Sequence, residues 1–472
     1  MTATTVTPGR ALPGWLKTGL LAVLVFALCW GGAIAWWQSA DSEPGAGDLV
    51  LMLLALPCGM LLVFKLGKKF VLPRLAVPAA AVAGVAAPPS AQAAAAPSAP
   101  SLAILAAALR SPHGASPEEL AAAIAEGKAR PDLDPQLVDG KGFPITAARR
   151  DGAADEASKE EIGDWLTANG MADMRFSELQ WRALTLGSAV ARDLASYAVL
   201  EFFPTEDSPP ALRLIPILPA RWSAEQRASA GMWFKHLIVR GGWPAASVTC
   251  IDASGVTGAG PSAVIDQFAF DASPANSRLA ALVIACESNI DQEVVSGWES
   301  DDLLFTASRA QSLIPGEGAA GLLLTDLGTL KSLPGAVHAL LDPFVEARRD
   351  ASIDHDKRAD PKPLAGLVER ACKQAAVDMS DVAMLIADTG EHTNRMHELM
   401  GFASATLPQL ETSSDVACVG ASSGTCGAVP YLTALALSHH HALGRAAPVL
   451  CVSNEDAHHR CATMVRPAPS LS

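Results

Sequence analysis

Basic surface is what this chain has least of: 35 Lys and Arg stand against 49 Asp and Glu, a net charge of −14 over 472 residues. Phosphate backbones are held by basic faces, so the balance argues against a nucleic-acid partner. The cysteines form no frame either. There are nine, an odd number without repeating spacing, which argues against a disulfide scaffold and for reduced thiols in a cytoplasmic setting.

What is present in excess is apolar residues. They make up half of the chain, and the excess is concentrated in its first hundred residues. One apolar run spans 15–37 and is broken only by Lys17; a second spans 49–66, with Leu49 to Phe64 as its apolar body. A helix of about 20 residues crosses a hydrocarbon core, so each run is read as a transmembrane helix, the second on the short side. Arg10 and Lys17 flank the first run, and Lys65, Lys68, Lys69 and Arg74 follow the second. The hairpin between them carries Asp41, Glu43 and Asp48 and no cation. This asymmetry places the tail at 1–14, the C-terminus and the large domain on the cytoplasmic face of a bacterial-type inner membrane. Trp36 and Trp37 fall where an aromatic belt meets the far interface. A cleaved signal peptide competes with this reading, but the first run is too long and the second would still hold the chain. Residues 76–101, nearly all Ala, Pro, Val and Ser, read as a flexible linker.

Residues 102–467 read as an α/β domain. LAILAAAL (Leu102 to Leu109) is a short apolar run, and the turn Ser111-Pro112-His113-Gly114 follows it. Ser116 is expected as a helix N-cap with Glu119 in capping-box position. Phe176 to Leu200 and Ala224 to Val239 read as helices; Ala211 to Leu218, Ala246 to Ile251, Leu279 to Ala285 and Gly321 to Thr325 read as strands. A second series follows: helix Pro363 to Ala376, strand Val382 to Ala387, helices His397 to Phe402 and Tyr431 to Leu443, and strand Pro448 to Val452. Parallel sheets covered by helices are the natural solution for such alternation. Asp155 to Asp164 is expected to be a solvated helical face, and the polar stretch Glu346 to Lys362 an exposed loop.

The order of motifs resembles the β-ketoacyl synthases of the thiolase superfamily. AILAAALRSPHG (Ala103 to Gly114) is similar to their early strand and P-x-G turn, and WRALTLGSAVARDLA (Trp181 to Ala195) to a following helix. VIACES (Val283 to Ser288) looks like a strand ending in a small-small-x-Glu turn. PGEGAAGLLL (Pro315 to Leu324) is the sharpest match, and SDVACVGASSGTCGAVPYLTALAL (Ser414 to Leu437) looks like the glycine-rich loop and helix near the family's C-terminal end. The resemblance implies a five-layered fold of two similar βαβαβ halves, usually a homodimer.

It also implies a cysteine nucleophile at a helix N-terminus, where the dipole favours thiolate, and two histidines beside it. The nucleophile should fall near Gly258 to Pro261, where Gly260 stands and no cysteine or serine occupies the expected place. The first histidine position falls on Ala387 or Asp388 in ADTGEHTNR (Ala387 to Arg395), with His392 displaced along the loop. The second falls on Ala421, after Gly420. All three positions are read as empty, and an enzyme without them has lost that mechanism. Gly316, Glu317, Gly318, Gly420 and Gly424 are read as structural loop residues, with Glu317 expected to bond backbone amides of its turn.

Other constellations carry less. Gly420-Ala421-Ser422-Ser423-Gly424 matches the G-x-S-x-G elbow of serine hydrolases, with Asp456 and His458 or His459 after it. Only 48 residues remain beyond Gly424, too few for the rest of that fold. His439, His440 and His441 point about 100° apart on a helix and cannot converge on one metal ion, so a solvated helix end is expected. Cys418, Cys426, Cys451 and Cys461 lack the C-x-x-C spacing of zinc knuckles. No metal and no cofactor is expected.

The sequence therefore reads as a membrane-tethered, catalytically degenerate ketoacyl-synthase-like scaffold or adaptor, in contact with the bilayer, a second copy and a protein client. One concrete version is an accessory protein of an envelope machine such as a type VI secretion system. The alternative is an active acyltransferase whose nucleophile has moved to Cys250 or Cys286, with His392 as the imidazole.

Overall fold

The computed structural model describes residues 99–468 apart from 204–208, 254–259, 274–277, 307, 310, 334 and 356–358. The expected spans 15–37 and 49–66 and the linker up to residue 98 lie outside the described residues. Among the described residues no helix is long and apolar enough to cross a membrane.

The first half opens on β1 (Leu102–Arg110) and α1 (Pro117–Ala125), then the hairpin β2 (Asp132–Val138) and β3 (Pro144–Ala147). Helices α2 (Glu156–Ala168) and α3 (Glu178–Phe202) lead to β4 (Ala211–Ile217), α4 (Ala224–Arg240), β5 (Val248–Cys250), α5 (Pro261–Ala272), β6 (Leu279–Ser288), α6 (Gln292–Ser300) and β7 (Glu317–Asp326). The short α7 (Leu327–Leu330) passes into the second half: β8 (Ala339–Leu341), β9 (Val345–Arg348), α8 (Lys362–Ala375), β10 (Met384–Ala387), α9 (Thr393–Thr406), β11 (Val416–Cys418), α10 (Val419–Ser423), α11 (Val429–Arg445), β12 (Val449–Ser453) and β13 (His459–Pro467).

Local chemistry sets several of these ends. Ser116 accepts the Glu119 N–H, but the Glu119 carboxylate takes the N–H of Ala115, one residue before the expected position. Complete capping boxes occur instead at Ser177 with Gln180 and at Ser223 with Gln226.

The strands lie in the order β5-β4-β6-β7-β1-β8-β13-β12-β10-β11, with β9 paired to β13. Counted within each half, β1, β4, β5, β6, β7 and β8, β10, β11, β12, β13 both follow the order 3-2-4-5-1, with the fifth strand antiparallel to its neighbours. Antiparallel pairing of β1 with β8 joins the halves. Period-two alternation then sorts the strand residues into layers. On β6, Ala281, Val283 and Ala285 meet α5 and α11 in a central core, while Ala280, Leu282 and Ile284 face α3 and α4. On β12, Val449 and Cys451 join that central core and Leu450 and Val452 face α8 and α9. Helix, sheet, helix, sheet and helix make five layers around α5 and α11.

Three expectations are corrected. The strand expected at Ala246–Ile251 is only β5, because Ala245–Ser247 form a 3-10 turn. The stretch expected as an exposed loop at Glu346–Lys362 begins within β9, which pairs with β13. The histidines expected on a solvated helix end are partly enclosed: burial lowers His439 to about 4, and His440 Nδ1 lies 3.5 Å from Glu118.

Candidate functional site

Parallel strands open loops at their C-terminal ends, and ligands in α/β sheets sit there. At that end lies a cleft of about 500 Å³. Gly260, Pro261 and Ser262 at the start of α5 form one wall. The exits of β10 (Asp388 to His392) and β12 (Ser453 to Asp456) form another, with Gly420 behind them and Leu313, Ile314, Cys426 and Tyr431 lining the remainder.

The helix that would carry a nucleophile therefore points into the cleft. Gly260 is its N-cap, without a side-chain cap bond, and Pro261 follows. Ser262, 1% exposed, donates its hydroxyl to Glu346 Oε1 at 2.6 Å, and His459 Nε2 lies 3.4 Å from the other oxygen of that carboxylate. The His459 contact and the Ser262 bond hold Glu346 below the usual carboxylate range, and Glu346 raises His459.

Asp388 is committed to structure. It accepts the Ser453 hydroxyl at 2.5 Å and the N–H groups of Asn454 and Glu455 at 2.9 and 3.2 Å, which ties β10 to the end of β12. Burial raises its pKa against these bonds and the charge of Arg460. Ala421 sits on α10 with its N–H bonded to Thr389 O at 3.0 Å. Gly420 beside it admits no side chain, since a Cβ would stand 2.2 Å from Asp388 O.

His392 lines the cleft, with Nε2 3.4 Å from Asp354 and Nδ1 without a partner among the described residues. Burial lowers its pKa; Asp354 opposes the shift. Arg395, which the sequence did not single out, grips Asp354 with Nε at 3.1 Å and Nη2 at 2.8 Å, and reaches Glu455 with Nη1 at 2.9 Å. Burial pushes Glu455 up to about 7 against the pull of Arg395. Below this network Glu398, fully buried, accepts from Arg460 Nε at 2.7 Å and Arg349 at 3.1 Å.

Neither Cys250 nor Cys286 lines this cleft. Cys250 is an exposed residue whose sulfur turns against Gly231 of α4, where local desolvation with the charge of Asp252 pushes the thiol up to about 11. Cys286 packs in the outer core beside Gly187 of α3, with its thiol raised by burial. Cys426 and Cys461 do line the cleft; burial holds both well above the ordinary thiol range, far from the thiolate a nucleophile needs. Ser422 does not form a hydrolase elbow: its hydroxyl donates to Val419 O at 2.8 Å, and Asp456 accepts the N–H groups of His458 and His459.

Glu317 is fully buried away from the cleft. It accepts one backbone N–H, that of Arg150 at 2.8 Å, together with the Ser288 hydroxyl at 2.9 Å and both arms of Arg182. Gly316 and Gly424 pass within backbone contact of each other, and Gly424 has φ +63°. A Cβ at Gly318 would press on Arg110 O at 2.9 Å.

One pH effect follows from the cleft wall. Asp266 lies one turn beyond Ser262, and burial pushes it up to about 7, with the Glu346 charge adding and the Phe344 N–H opposing. A carboxyl raised on folding gives stability that is complete below the unfolded pKa and is lost as pH rises through the folded value. Asp266→Asn should therefore gain on the native chain from about pH 4 to pH 7 in denaturant unfolding. A difference that does not change with pH would contradict the assignment.

No protein-family model and no curated protein matches the chain. Solved structures do. A ketosynthase domain of oxazolomycin from Streptomyces albus JA3453 superposes with a TM-score of 0.53 at 12% identity, over 79% of this chain and 75% of that one. The ketosynthase from module 1 of the bacillaene synthase of Bacillus amyloliquefaciens FZB42 gives 0.52 at 13% identity, over 79% and 74%. The module 6 ketosynthase from Bacillus subtilis 168 gives 0.53 at 10%, over 78% and 72%. The chain has an α/β thiolase-like fold. Within that class, its fold is that of the β-ketoacyl synthases.

Proposed function

We propose that this chain is a membrane-anchored, non-condensing ketosynthase-like protein that acts by binding, as a scaffold or adaptor for a protein client at the cytoplasmic face. One observation carries the reading: the helix N-terminus that opens into the cleft presents Gly260, Pro261 and Ser262 and no thiol. Asp388 and Ala421, at the two histidine positions of the resemblance, supply no imidazole, and the Asp388 carboxylate is occupied in holding β10 to β12. The thiols that line the cleft, Cys426 and Cys461, are held well above the ordinary thiol range by burial. A preserved cleft in which Ser262, Asp388 and Arg395 are spent on internal bonds supports recognition rather than acyl transfer.

Intact-mass spectrometry of the full chain, incubated with malonyl- and acyl-thioesters, tests this. The expected result is an unchanged mass. A single acyl adduct, lost when one cysteine or Ser262 is replaced, would return the chain to the acyltransferases.

A further inference from the structure

Chain direction divides the domain into two poles. The cleft and the β2–β3 hairpin occupy one. At the other, Leu102 pairs with Asp326, Ala280 with Thr325 and Ala211 with Leu279, so β1, β4 and β6 begin there and β7 ends there. The described chain also starts at this pole, and the two apolar runs at 15–37 and 49–66 precede it in sequence.

Helix α3 runs towards the same pole. Gly187 abuts Cys286 near the far end of β6, Leu194 abuts Gly321 in the middle of β7, and the last two turns continue beyond. On those turns Tyr197, Leu200 and Phe203 are 48%, 67% and 37% exposed. Their spacing of three residues places them as neighbours along the helix surface. The segment after β7 packs Leu330, Leu333 and Ala336 into the core that Val199 of α3 also joins. It leaves Leu327 and Val337 38% and 69% exposed. Half of the large hydrophobic side chains exposed among the described residues thus belong to α3's end and this segment, with Lys331 exposed between them.

Acidic side chains stand at both poles, Glu201 beside Leu200 on α3 and a larger group on the hairpin and α6. Asp132, Asp139, Glu293, Glu299 and Asp301 lie on the hairpin, on α6 and just after it, where the hairpin bonds α6 through Gln292 and Glu299. An anionic cytoplasmic leaflet repels such a group. The interface between headgroups and acyl chains accepts Tyr, Lys and apolar side chains.

We infer that Tyr197, Leu200, Phe203, Leu327 and Val337 form a surface that rests in the headgroup region of the bilayer, with the cleft facing away from it. This rests on the membrane-anchor part of the proposed function, and it adds that the domain lies on the lipid rather than swinging free on its linker. It also explains why an apolar patch of this kind lies at the pole where the chain arrives.

Site-specific photo-crosslinking in the full chain tests it. Benzoylphenylalanine replaces Leu200, Leu327 or Val337 at the patch and, as the control, Phe143, which is 64% exposed at the cleft pole. All four side chains are exposed, so the fold tolerates the replacements. Isolated membranes are irradiated and then washed with carbonate. Lipid adducts several-fold more abundant at the three patch positions than at Phe143 are expected. Equal yields, or adducts only to protein, from a chain that resists carbonate would overturn the surface and leave the anchor standing. A chain released by carbonate would overturn the anchor, and the surface with it.

Discussion

Arg182→Met is expected to destabilise the domain by about 3–5 kcal/mol, because it strands a carboxylate in the core. Glu317 is 0% exposed and the Arg182 side chain 9%, so water cannot take over the lost charge. Both guanidinium arms are used, Nε to Oε2 at 2.7 Å and Nη2 to Oε1 at 2.5 Å. The pair connects α3 to the first residue of β7, while Arg150 and Ser288 hold the same carboxylate from the loop after β3 and from the end of β6. Removing the charge together with its partner is different: Arg182→Met with Glu317→Leu should recover much of the loss. What remains would reflect the orphaned N–H of Arg150 and the Ser288 hydroxyl, at about 1–3 kcal/mol for each buried group left unpaired. Urea unfolding of the two variants checks this. If the double variant is no more stable than the single one, the ion pair is not the origin of the effect.

Gly420→Ala is expected to cost about 3 kcal/mol, the upper range for overpacking, although it adds a single methyl group. The new Cβ would stand 2.2 Å from Asp388 O and 2.8 Å from Gly390 N. Both are backbone atoms, so no flexible side chain can yield. Relief requires α10 to move away from β10, which breaks the Ala421 N–H bond to Thr389 O and disturbs the Asp388 link to β12. Gly444→Ala is the matched control. It lies on α11 in the ordinary helical region, and its Cβ would meet nothing within 4 Å. There the same change should stabilise by about 0.5–1 kcal/mol, through helix propensity alone. Thermal unfolding separates the two, and equal effects would show that contact with the β10 exit does not matter.

These positions show how much the sequence made legible. The loop at Gly420 and Gly424 is legible as glycine in a strand-to-helix pattern, Gly316 as glycine leading into a strand, and the strand-helix alternation indicates layered α/β structure. Strand β13 was not visible. Its Arg460 and Thr463 are 1% and 0% exposed, and polar residues buried by tertiary partners erase the period-two signal. The β2–β3 hairpin was hidden for a related reason: Asp132, Asp134 and Pro135 are poor strand formers, and the hairpin is held by α6 and by the Arg149 pair with Asp134. Glu346 lies in a stretch so polar that it reads as loop, yet it is part of β9 and its carboxylate accepts the hydroxyl of Ser262 in the cleft wall.

By itself, the sequence determined the acidic charge balance, the two apolar runs near the start, the α/β class and the order of motifs that resembles the ketosynthases. All of these depend on composition or on neighbours within a turn or a strand. Only the tertiary structure decided which groups share a site. Gly260, Asp388, His392 and Gly420 meet at one cleft because α5, β10 and α10 converge there; Cys286 is turned into the outer core, and Cys250 lies exposed at the end of β5. Arg395, Glu455, Glu346 and His459 acquire partners 41, 60, 84 and 113 positions away in the chain, at Asp354, Arg395, Ser262 and Glu346. A side chain's partner at such separations is set by sheet order and crossover, and local spacing does not record either.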